Sequence, residues 1–409
     1  MDAPRFAALA AWITEAGLAG GAETVMLTGF CERAVAAGLP LAGAIVVIDT
    51  LHPVYEGHAV RWYADNRETT LTGYGRTNAG EAAENYRRSP FYYLFQSGEP
   101  YLRRRLTAAT DGEFFSLDMM RAEGMTDYVG ILNRFAPEGV VGDMDCVYSV
   151  WVTDRPAGFA DADVEALRRL VPFLALAMKC AALARTAQNL VEAYLGRDAG
   201  RLVMSGRIAR GVADRINAVL WFSDLRGYTR ITDTAPPEQI IPLLNDYADA
   251  VIASIHAKGG DVLKLIGDGV LAIFRADDRP RACLKAIAAA TKAEAAIVAL
   301  NERRAAAGLP TTQMYLGLHI GEVFFGNVGS KDRLDFTVVG PAVNEVSRIA
   351  AMCRSVDQTV LVSAAFAAAL GSAGPRLVSV GRYALRGVGH PQDLYTLDRE
   401  PPPGGTVSV

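Results

Sequence analysis

The chain has 409 residues, of which 51% are hydrophobic and 21% are charged. This length predicts about two or three domains, and the composition supplies enough apolar material for packed cores, which excludes a globally disordered chain. Lysine and arginine number 41 against 45 aspartates and glutamates, a net charge of −4, so nothing in the charge indicates a nucleic-acid-binding protein.

Cysteine usage and hydropathy predict where the protein works. The 5 cysteines lie far apart and form no CxxC pair, which argues against disulfides or a zinc cluster and favours a reducing cytoplasm. The most apolar stretch, residues 170–184, contains Pro172 and Lys179 and falls short of the ~20 apolar residues that span a bilayer. Residues 6–18 follow a helical pattern, unlike a signal peptide. We therefore expect a cytoplasmic protein without a transmembrane segment.

The first half of the chain reads as mixed helix and strand. β-branched runs at 44–49 and 146–153 predict strands, and residues 67–83, rich in threonine, glycine and asparagine, predict an irregular segment. From residue 159 to Gly196, apolar residues recur every three or four positions, which predicts one long helix. Such a helix commonly pairs with a copy of itself, and the alternative is a terminal helix packed on its own sheet.

In the second half, short strands alternate with helices. Strands are predicted at 216–222, 314–320, 336–339 and 359–362, and helices at 243–255 and 278–307. Residues 262–274 predict two strands joined at Asp268-Gly269, a dipeptide favoured in hairpins. Helices on one face of a mixed or antiparallel sheet would make an α+β domain. The tail from residue 401 has nothing to bury and is predicted to be disordered.

Two aspartates are candidates for metal binding. Asp224 ends a buried strand and is followed by a turn at Gly227, where backbone N–H groups can bind phosphate while a neighbouring carboxylate holds a divalent cation. Asp268, at the hairpin, can lie beside Asp224, and two carboxylates on adjacent strands can hold two magnesium ions. Ordinary cap and turn roles are the alternatives for both aspartates.

A third element carries an amide and a cation. Asn344 and Arg348 are four residues apart, so they share one face if this segment is a helix. Arg348 could then contact a phosphoryl group while Asn344 contacts a sugar oxygen. In isolation such a pair is usually a solvated helix face, and it is the three elements together that indicate a phosphate-processing site.

The strings VLWFSDLRGYT, KLIGDG and GLHIGEVFFGNVGSKDRLDFTVVGPAVNEVSR resemble, in order and spacing, the catalytic domain of class III nucleotide cyclases, over about residues 213–397. The resemblance implies an α+β fold with a ferredoxin-like, palm-type sheet. It also implies a lyase that converts ATP into 3′,5′-cyclic AMP and pyrophosphate with two Mg²⁺ or Mn²⁺ ions in each active site.

The resemblance assigns roles to individual residues. The metal ligands would be Asp224, Asp268 and Leu225. The catalytic pair at the transition state would be Asn344 and Arg348. The substrate-binding residues would be Lys264, Thr337, Gly227, Tyr228, Thr229 and Arg386. It further implies a homodimer with shared sites, in which one protomer supplies the carboxylates and the other supplies Lys264, Thr337, Asn344 and Arg348.

Selection of the base depends mainly on Lys264. Many members carry an aspartate that reads the adenine amino group at the position of Thr337, and a threonine there resembles the subclass that includes bicarbonate-responsive cyclases. A cationic donor at Lys264 suits the acceptor N1 of adenine and repels the protonated N1 of guanine, which favours ATP over GTP. The alternatives are a guanylate cyclase and a non-catalytic, ligand-sensing dimerisation module.

The N-terminal half resembles GAF-like sensor domains more faintly, through SPFYYLFQSGEPYL and CVYSVWVTDRPAGFADADVEALRRLVPFLALAM. This implies a regulatory domain for an unidentified small molecule or signal. His52 and His58 belong to no motif, and such histidines are more often structural than ligands of haem or metal. The predicted domains are a GAF-like α/β domain at 1–185, a helical linker at 186–212, the cyclase domain at 213–400 and the tail at 401–409.

Overall fold

The computed structural model describes residues 1–65, 67–107, 112–136, 141–142 and 144–398. The chain divides into two compact units, Met1–Leu190 and a second unit that begins at Val191. The finer limits of the domains and of a linker stay predictions, and the predicted disordered tail at 401–409 lies outside the described residues.

The first unit is built on a six-stranded antiparallel sheet in the order β3-β2-β1-β6-β5-β4. Its strands are β1 Gly43–Asp49, β2 Gly57–Tyr63, β3 Thr70–Tyr74, β4 Tyr101–Arg105, β5 Asp127–Arg134 and β6 Cys146–Thr153. Its helices are α1 Ala3–Leu18, α2 Glu23–Ala36, α3 Gly80–Arg87, α4 Pro90–Ser97 and α5 Phe115–Ala122, with α6 Asp161–Leu195 running past its end.

Alternation along the strands gives this sheet two buried faces. One face packs with α1, α2 and α6 around Trp151, and the other packs with α4 and α5 around Tyr148. The strands predicted at 44–49 and 146–153 are confirmed as β1 and β6. The irregular segment predicted at 67–83 is wrong, because it contains β3 and the start of α3. β3 is a mostly exposed edge strand, so pairing with β2 forms it without any alternation of apolar residues.

Helix α6 confirms the long predicted helix and its end, since it spans 35 residues and stops before Gly196, whose φ is 86°. One face of α6, including Leu167 and Leu174, is buried in the core of the first unit. Among the described residues it is the one helix long and apolar enough to cross a membrane, a test that buried core helices also pass. The predicted absence of a transmembrane segment and the self-pairing of this helix therefore stay predictions.

The second unit is built on an eight-stranded sheet in the order β13-β14-β12-β10-β7-β9-β8, with β11 paired to β10. Its strands are β7 Ala213–Leu225, β8 Asp261–Ile266, β9 Gly269–Arg275, β10 Met314–Gly329, β11 Leu334–Val339, β12 Val360–Ser363, β13 Leu377–Tyr383 and β14 Gln392–Leu397. Its helices are α7 Arg197–Met204, α8 Tyr228–Thr234, α9 Ile240–Ala257, α10 Arg279–Ala306, α11 Pro341–Met352 and α12 Ala364–Leu370.

Helices cover both faces of this sheet. Val219 and Trp221 of β7 pack with α9 and α10 on one face, while the alternate residues Ala218 and Leu220 pack with α11 on the other. A Cβ at Gly317 would lie 2.7 Å from the Val346 carbonyl oxygen, so this glycine allows α11 to approach the sheet closely. The mixed sheet and the helices at 243–255 and 278–307 are confirmed. The expectation of helices on one face is wrong, because α11 covers the other face. Its packing there depends on the contact of Gly317 with Val346, which joins residues far apart in the chain.

The hairpin between β8 and β9 differs from its prediction by one residue. Ile266 pairs with Gly269, so the two turn residues are Gly267 and Asp268, whereas the predicted joint was Asp268-Gly269. Gly267 takes the left-handed conformation, with a φ of 62°, which a glycine adopts without strain. As a result Asp268 lies in the turn itself, at the edge of the sheet.

Candidate active site

The two predicted metal carboxylates lie side by side at one edge of the second sheet. Asp224 is the next-to-last residue of β7, and Asp268 lies in the turn before the neighbouring strand β9, where Val270 pairs with Ser223. The backbone N–H of Leu225 donates a hydrogen bond of 3.0 Å to Oδ2 of Asp268. The structure therefore brings Asp224, Asp268 and Leu225 together, and the hydrogen bond holds the turn against the end of β7.

The electrostatics of this pair suit a cation. Burial, and then the charge of Asp268, raise the pKa of Asp224 to about 6. Its Oδ1 is buried and has no hydrogen-bond partner among the described residues, an arrangement that costs free energy unless another group binds it. No group of three or more metal-binding side chains occurs in the described part of the chain, so a cation here would complete its shell with waters or substrate oxygens. Mg²⁺ commonly binds in this way, through one or two carboxylates.

A pocket of about 160 Å³ opens beside the two carboxylates. It lies between the strand ends and helix α9, which contributes Ile241, Leu244 and Asn245 to its wall. Pockets that bury a drug-sized ligand measure about 300–1,000 Å³. This pocket can therefore hold hydrated ions but is too small to enclose a nucleotide.

The turn after Asp224 has the predicted form. Gly227 adopts a φ of 69° and precedes α8, a helix of seven residues that begins at Tyr228. Gly227 and Thr229 are exposed, whereas Tyr228 is half-buried and packs against the core. The exposed backbone of this turn follows Asp224 directly in the chain.

The residues predicted to bind the base lie on β8 and β11. Lys264 forms an ion pair with Asp335, and Thr337 lies two residues farther along β11, opposite Gly326 of β10. The side chains of Lys264, Asp335 and Thr337 are all half-buried.

The residues predicted to contact phosphate and sugar lie on α11. Asn344 and Arg348 are exposed on one face of α11, while Val346 and Ile349 bury the other face. Asn344 borders a surface pocket of about 600 Å³, together with residues 387–389. Arg386, exposed, immediately precedes that loop in the chain.

The structure does not join these two sets of residues within one copy of the chain. Among the described residues, no hydrogen bond or ion pair links Asp224 or Asp268 to Lys264, Asn344 or Arg348. The carboxylate pair therefore makes no direct polar contact with the side chains predicted to bind the base and the phosphate.

Sequence reasoning missed Asp335 and His319, which lie near these predicted residues. Asp335, which pairs with Lys264, precedes Thr337 by two residues on one strand, a spacing that could have indicated it. His319 lies with Nδ1 2.8 Å from Oγ of Ser363 and Nε2 3.6 Å from Glu345, the residue after Asn344. Burial lowers the pKa of His319 to about 4, so this histidine is neutral near pH 7. It lies beside Glu345 of α11.

Comparison with known proteins identifies the domain. Residues 213–399 match the family model of the adenylate and guanylate cyclase catalytic domain. The chain is 34% identical over 157 residues to an adenylate cyclase of Anabaena cylindrica, covering 37% of this chain and 30% of that protein. It is 32% identical over 171 residues to adenylate cyclase 1 of Rhizobium meliloti, covering 41% and 25%. The matched region thus spans about a quarter to a third of the length of these curated relatives.

Solved structures are also similar to it. The adenylyl cyclase CyaB from P. aeruginosa is 22% identical, with a TM-score of 0.43, over 47% of this chain and 100% of that one. The guanylyl cyclase Cya2 is 28% identical, with a TM-score of 0.41, over 47% and 96%. The match to the family model falls on the unit that carries the two aspartates. Residues 213–399 are therefore a class III adenylate/guanylate cyclase catalytic domain, of a family of lyases that generally use divalent metal ions.

Proposed function

We propose that the protein is an adenylate cyclase, which converts ATP into 3′,5′-cyclic AMP and pyrophosphate. The ribose 3′-oxygen forms a bond to the α-phosphorus, the bond from that phosphorus to the oxygen bridging to the β-phosphorus breaks, and the hydroxyl proton leaves. The observation that carries the proposal is the half-buried carboxylate pair, in which the buried Oδ1 of Asp224 lacks a partner among the described residues. Two Mg²⁺ or Mn²⁺ ions held by Asp224 and Asp268 would acidify the 3′-hydroxyl and neutralise the leaving pyrophosphate.

The preference for ATP rests on Lys264. An ammonium donates to N1 of adenine, whereas guanine presents a protonated N1 that the ammonium repels. The two relatives named above are adenylate cyclases by name, which supports the same substrate. Thr337 resembles the residue at this position in the subclass that includes bicarbonate-responsive cyclases, and we propose that the protein belongs to that subclass. A guanylate cyclase is the weaker candidate, and a non-catalytic module is disfavoured because both aspartates, Asn344 and Arg348 are all retained.

We further propose that each active site forms between two copies of the chain. The pocket at the carboxylates is too small for a nucleotide, and Lys264, Asn344 and Arg348 do not line it. Leu265, which lines the pocket at the carboxylates, is 55% exposed, and Phe324, which pairs with Val339 of β11, is 54% exposed, so apolar surface is available for a partner to cover. In the homodimer, Asn344 and Arg348 of one protomer would stabilise the charge that develops on the phosphate bound by the other protomer's aspartates.

Paired inactive variants test both parts of this proposal. Asp224→Ala and Asn344→Ala are each expected to remove cyclic AMP formation, because every site of either homodimer lacks one essential group. A heterodimer of the two variants collects both lesions in one site and leaves the other site whole, so about half of the parent activity should return.

The heterodimer is best made by co-expression with two different tags and tandem purification. Its composition is checked by mass, and cyclic AMP is measured with ATP and Mn²⁺. Heterodimers of confirmed mass that stay as inactive as the two parents would show that the site lies within one chain.

The first unit is proposed to regulate the enzyme. It lies outside the family match, has its own sheet and core, and contains a cavity of about 300 Å³ between the sheet and α5, lined by Ile45, Met119 and Val150. A GAF-like domain would place a small ligand in such a cavity, and α6 would carry its effect along the chain. The identity of that ligand, the self-pairing of α6 and the cytoplasmic location stay predictions.

A further inference from the structure

Lys264, on which the proposed preference for ATP depends, is paired with a carboxylate. Its ammonium forms an ion pair with the carboxylate of Asp335, which lies 71 residues farther along the chain on β11. The two side chains stay 37% and 44% exposed, so both polar groups can touch each other and a ligand at once. Nothing in the family resemblance gives Asp335 a role.

The strand geometry places Asp335 beside Thr337. Phe336 and Val338 are buried, at 3% and 4% exposure, and they face the core of the second unit. Because side chains alternate along a strand, Asp335 and Thr337 both point to the opposite, accessible face. Lys264, Asp335 and Thr337 therefore form one polar group on this face of β8 and β11.

The chemistry of the two bases decides what such a group can distinguish. Adenine presents an acceptor at N1 next to a donor, the 6-amino group, while guanine presents a donor at N1 next to an acceptor at O6. A threonine hydroxyl both donates and accepts, so Thr337 alone tolerates either base. A carboxylate can only accept, which makes it favourable toward the 6-amino group and unfavourable toward O6.

We propose that Asp335 is a specificity-determining residue whose carboxylate accepts a hydrogen bond from the 6-amino group of adenine while it holds Lys264 against N1. The proposal rests on the proposed use of ATP. Guanine in the same pose would meet two repulsions. The ammonium of Lys264 would face the N1–H donor, and the carboxylate of Asp335 would face the O6 acceptor. Asp335 thus supplies the acceptor that an aspartate at the position of Thr337 supplies in many cyclases.

Variants at Asp335 should fold, so that a change in nucleotide preference can be assigned to the substituted side chain. Ion pairs between partly exposed side chains contribute little to folding stability. Asp335→Asn keeps the shape of the side chain but offers an amide that both donates and accepts, and Asp335→Glu keeps the charge. Asp332→Asn is the matched control, because Asp332 is an exposed carboxylate in the turn between β10 and β11, three residues before Asp335.

The experiment measures both binding and turnover of adenine and guanine nucleotides. Binding of non-hydrolysable ATP and GTP analogues with Mn²⁺ is measured by calorimetry, and kcat/KM is measured for ATP and GTP. Asp335→Asn is expected to lower the ratio of ATP to GTP by about 10-fold to 100-fold, mostly through KM and the binding constant. Asp335→Glu should recover part of the ratio, Asp332→Asn should leave it unchanged, and Thr337→Val should change it less than Asp335→Asn does.

The outcomes separate this inference from the proposed function. Absence of turnover with both nucleotides in the unmodified protein would overturn the proposed function, while the binding preference would still decide the role of Asp335. An unmodified protein without preference for adenine nucleotides, or an Asp335→Asn variant with an unchanged ratio, would overturn the inference. A larger effect of Thr337→Val than of Asp335→Asn would assign the reading of the amino group to the threonine instead.

Discussion

Asp224 and Asp261 have the same electrostatic signature at two different places in the second unit. Burial and a neighbouring carboxylate, Asp268 in one case and Asp198 in the other, raise the pKa of each to about 6. Each also has one buried oxygen without a hydrogen-bond partner among the described residues. Asp224 lines an open pocket, whereas Asp261 lies at the start of β8 beneath the corner between α6 and α7. A raised pKa therefore marks a buried carboxylate, and access from solvent decides whether a cation can use it.

The corner above Asp261 is closed by backbone contact. Oδ1 of Asp261 accepts a hydrogen bond of 3.1 Å from the backbone N–H of Arg197. Gly196 has a φ of 86°, and a Cβ there would lie 2.3 Å from the carbonyl oxygen of Val262, so only glycine fits. The end of α6 is thereby attached to β8, the strand that carries Lys264 and leads to the turn with Asp268.

The largest expected effect is a difference in enzyme activity between variants of Asp224 or Asp268 and a variant of Asp261. Asp224→Asn and Asp268→Asn should each lower cyclic AMP formation by about 10³-fold or more. Each removes a negative charge that would hold a cation, and a bound cation stabilises the transition state by about several kcal/mol. Asp261→Asn should stay within several-fold of the parent, because the amide oxygen still accepts the hydrogen bond from Arg197. Activity is measured with ATP and saturating Mn²⁺.

Metal-dependent stabilisation supplies the control for that comparison. Addition of Mn²⁺ should raise the Tm of the parent and of Asp261→Asn, but not that of Asp224→Asn. If Asp261→Asn lost activity and Mn²⁺ stabilisation as fully as Asp224→Asn, the distinction between an open and a closed carboxylate would be wrong.

The difference between these regions also shows what the sequence could predict. The position of Asp224 at a strand end and of Asp268 near a hairpin turn follows from local patterns, namely apolar runs and the Asp268-Gly269 dipeptide, although the turn itself lies one residue earlier. The contact of Lys264 with Asp335 depends on how β11 folds back toward β8, and that of Gly196 with Val262 depends on how a helix corner meets a strand. Such contacts join residues 64 or more positions apart, and no local periodicity encodes them.

An insertion into α6 tests whether this helix affects the candidate active site through the junction of α6 and α7 at Gly196 and Arg197. Two residues inserted after Ala187 would rotate the following part of α6 by about 200°, at 3.6 residues per turn. Because Gly196 and Arg197 are attached to β8, we expect basal activity or its regulation to change several-fold. Seven inserted residues rotate the helix by nearly two full turns, to within about 20° of the original phase, and are the matched control. Equal activity of the parent and both insertion variants would indicate a flexible connection.

The smallest expected effect concerns how pH changes stability at Asp261. Its pKa is about 6 in the folded protein and 3.8 as a free side chain, so between about pH 4 and pH 6 the folded state binds more protons than the unfolded state. Stability must therefore fall as pH rises through this window, and the loss remains at pH 7. Asp198 repels the charged form, Arg201 attracts it, and the N–H of Arg197 binds it, but burial is the largest cause.

Asp261→Asn removes this titration, because the amide resembles the protonated acid. The difference in Tm between Asp261→Asn and the parent should thus be near zero at about pH 4 and grow to a few degrees in favour of the variant by about pH 7. Thermal unfolding of the two proteins, side by side in metal-free buffers, measures that difference and cancels the titration of all other groups. Asp224 titrates in both proteins, so it does not contribute. A difference that stays flat, or that favours the parent as pH rises, would mean that Asp261 is charged at little cost and that the attachment of the corner depends on its charge.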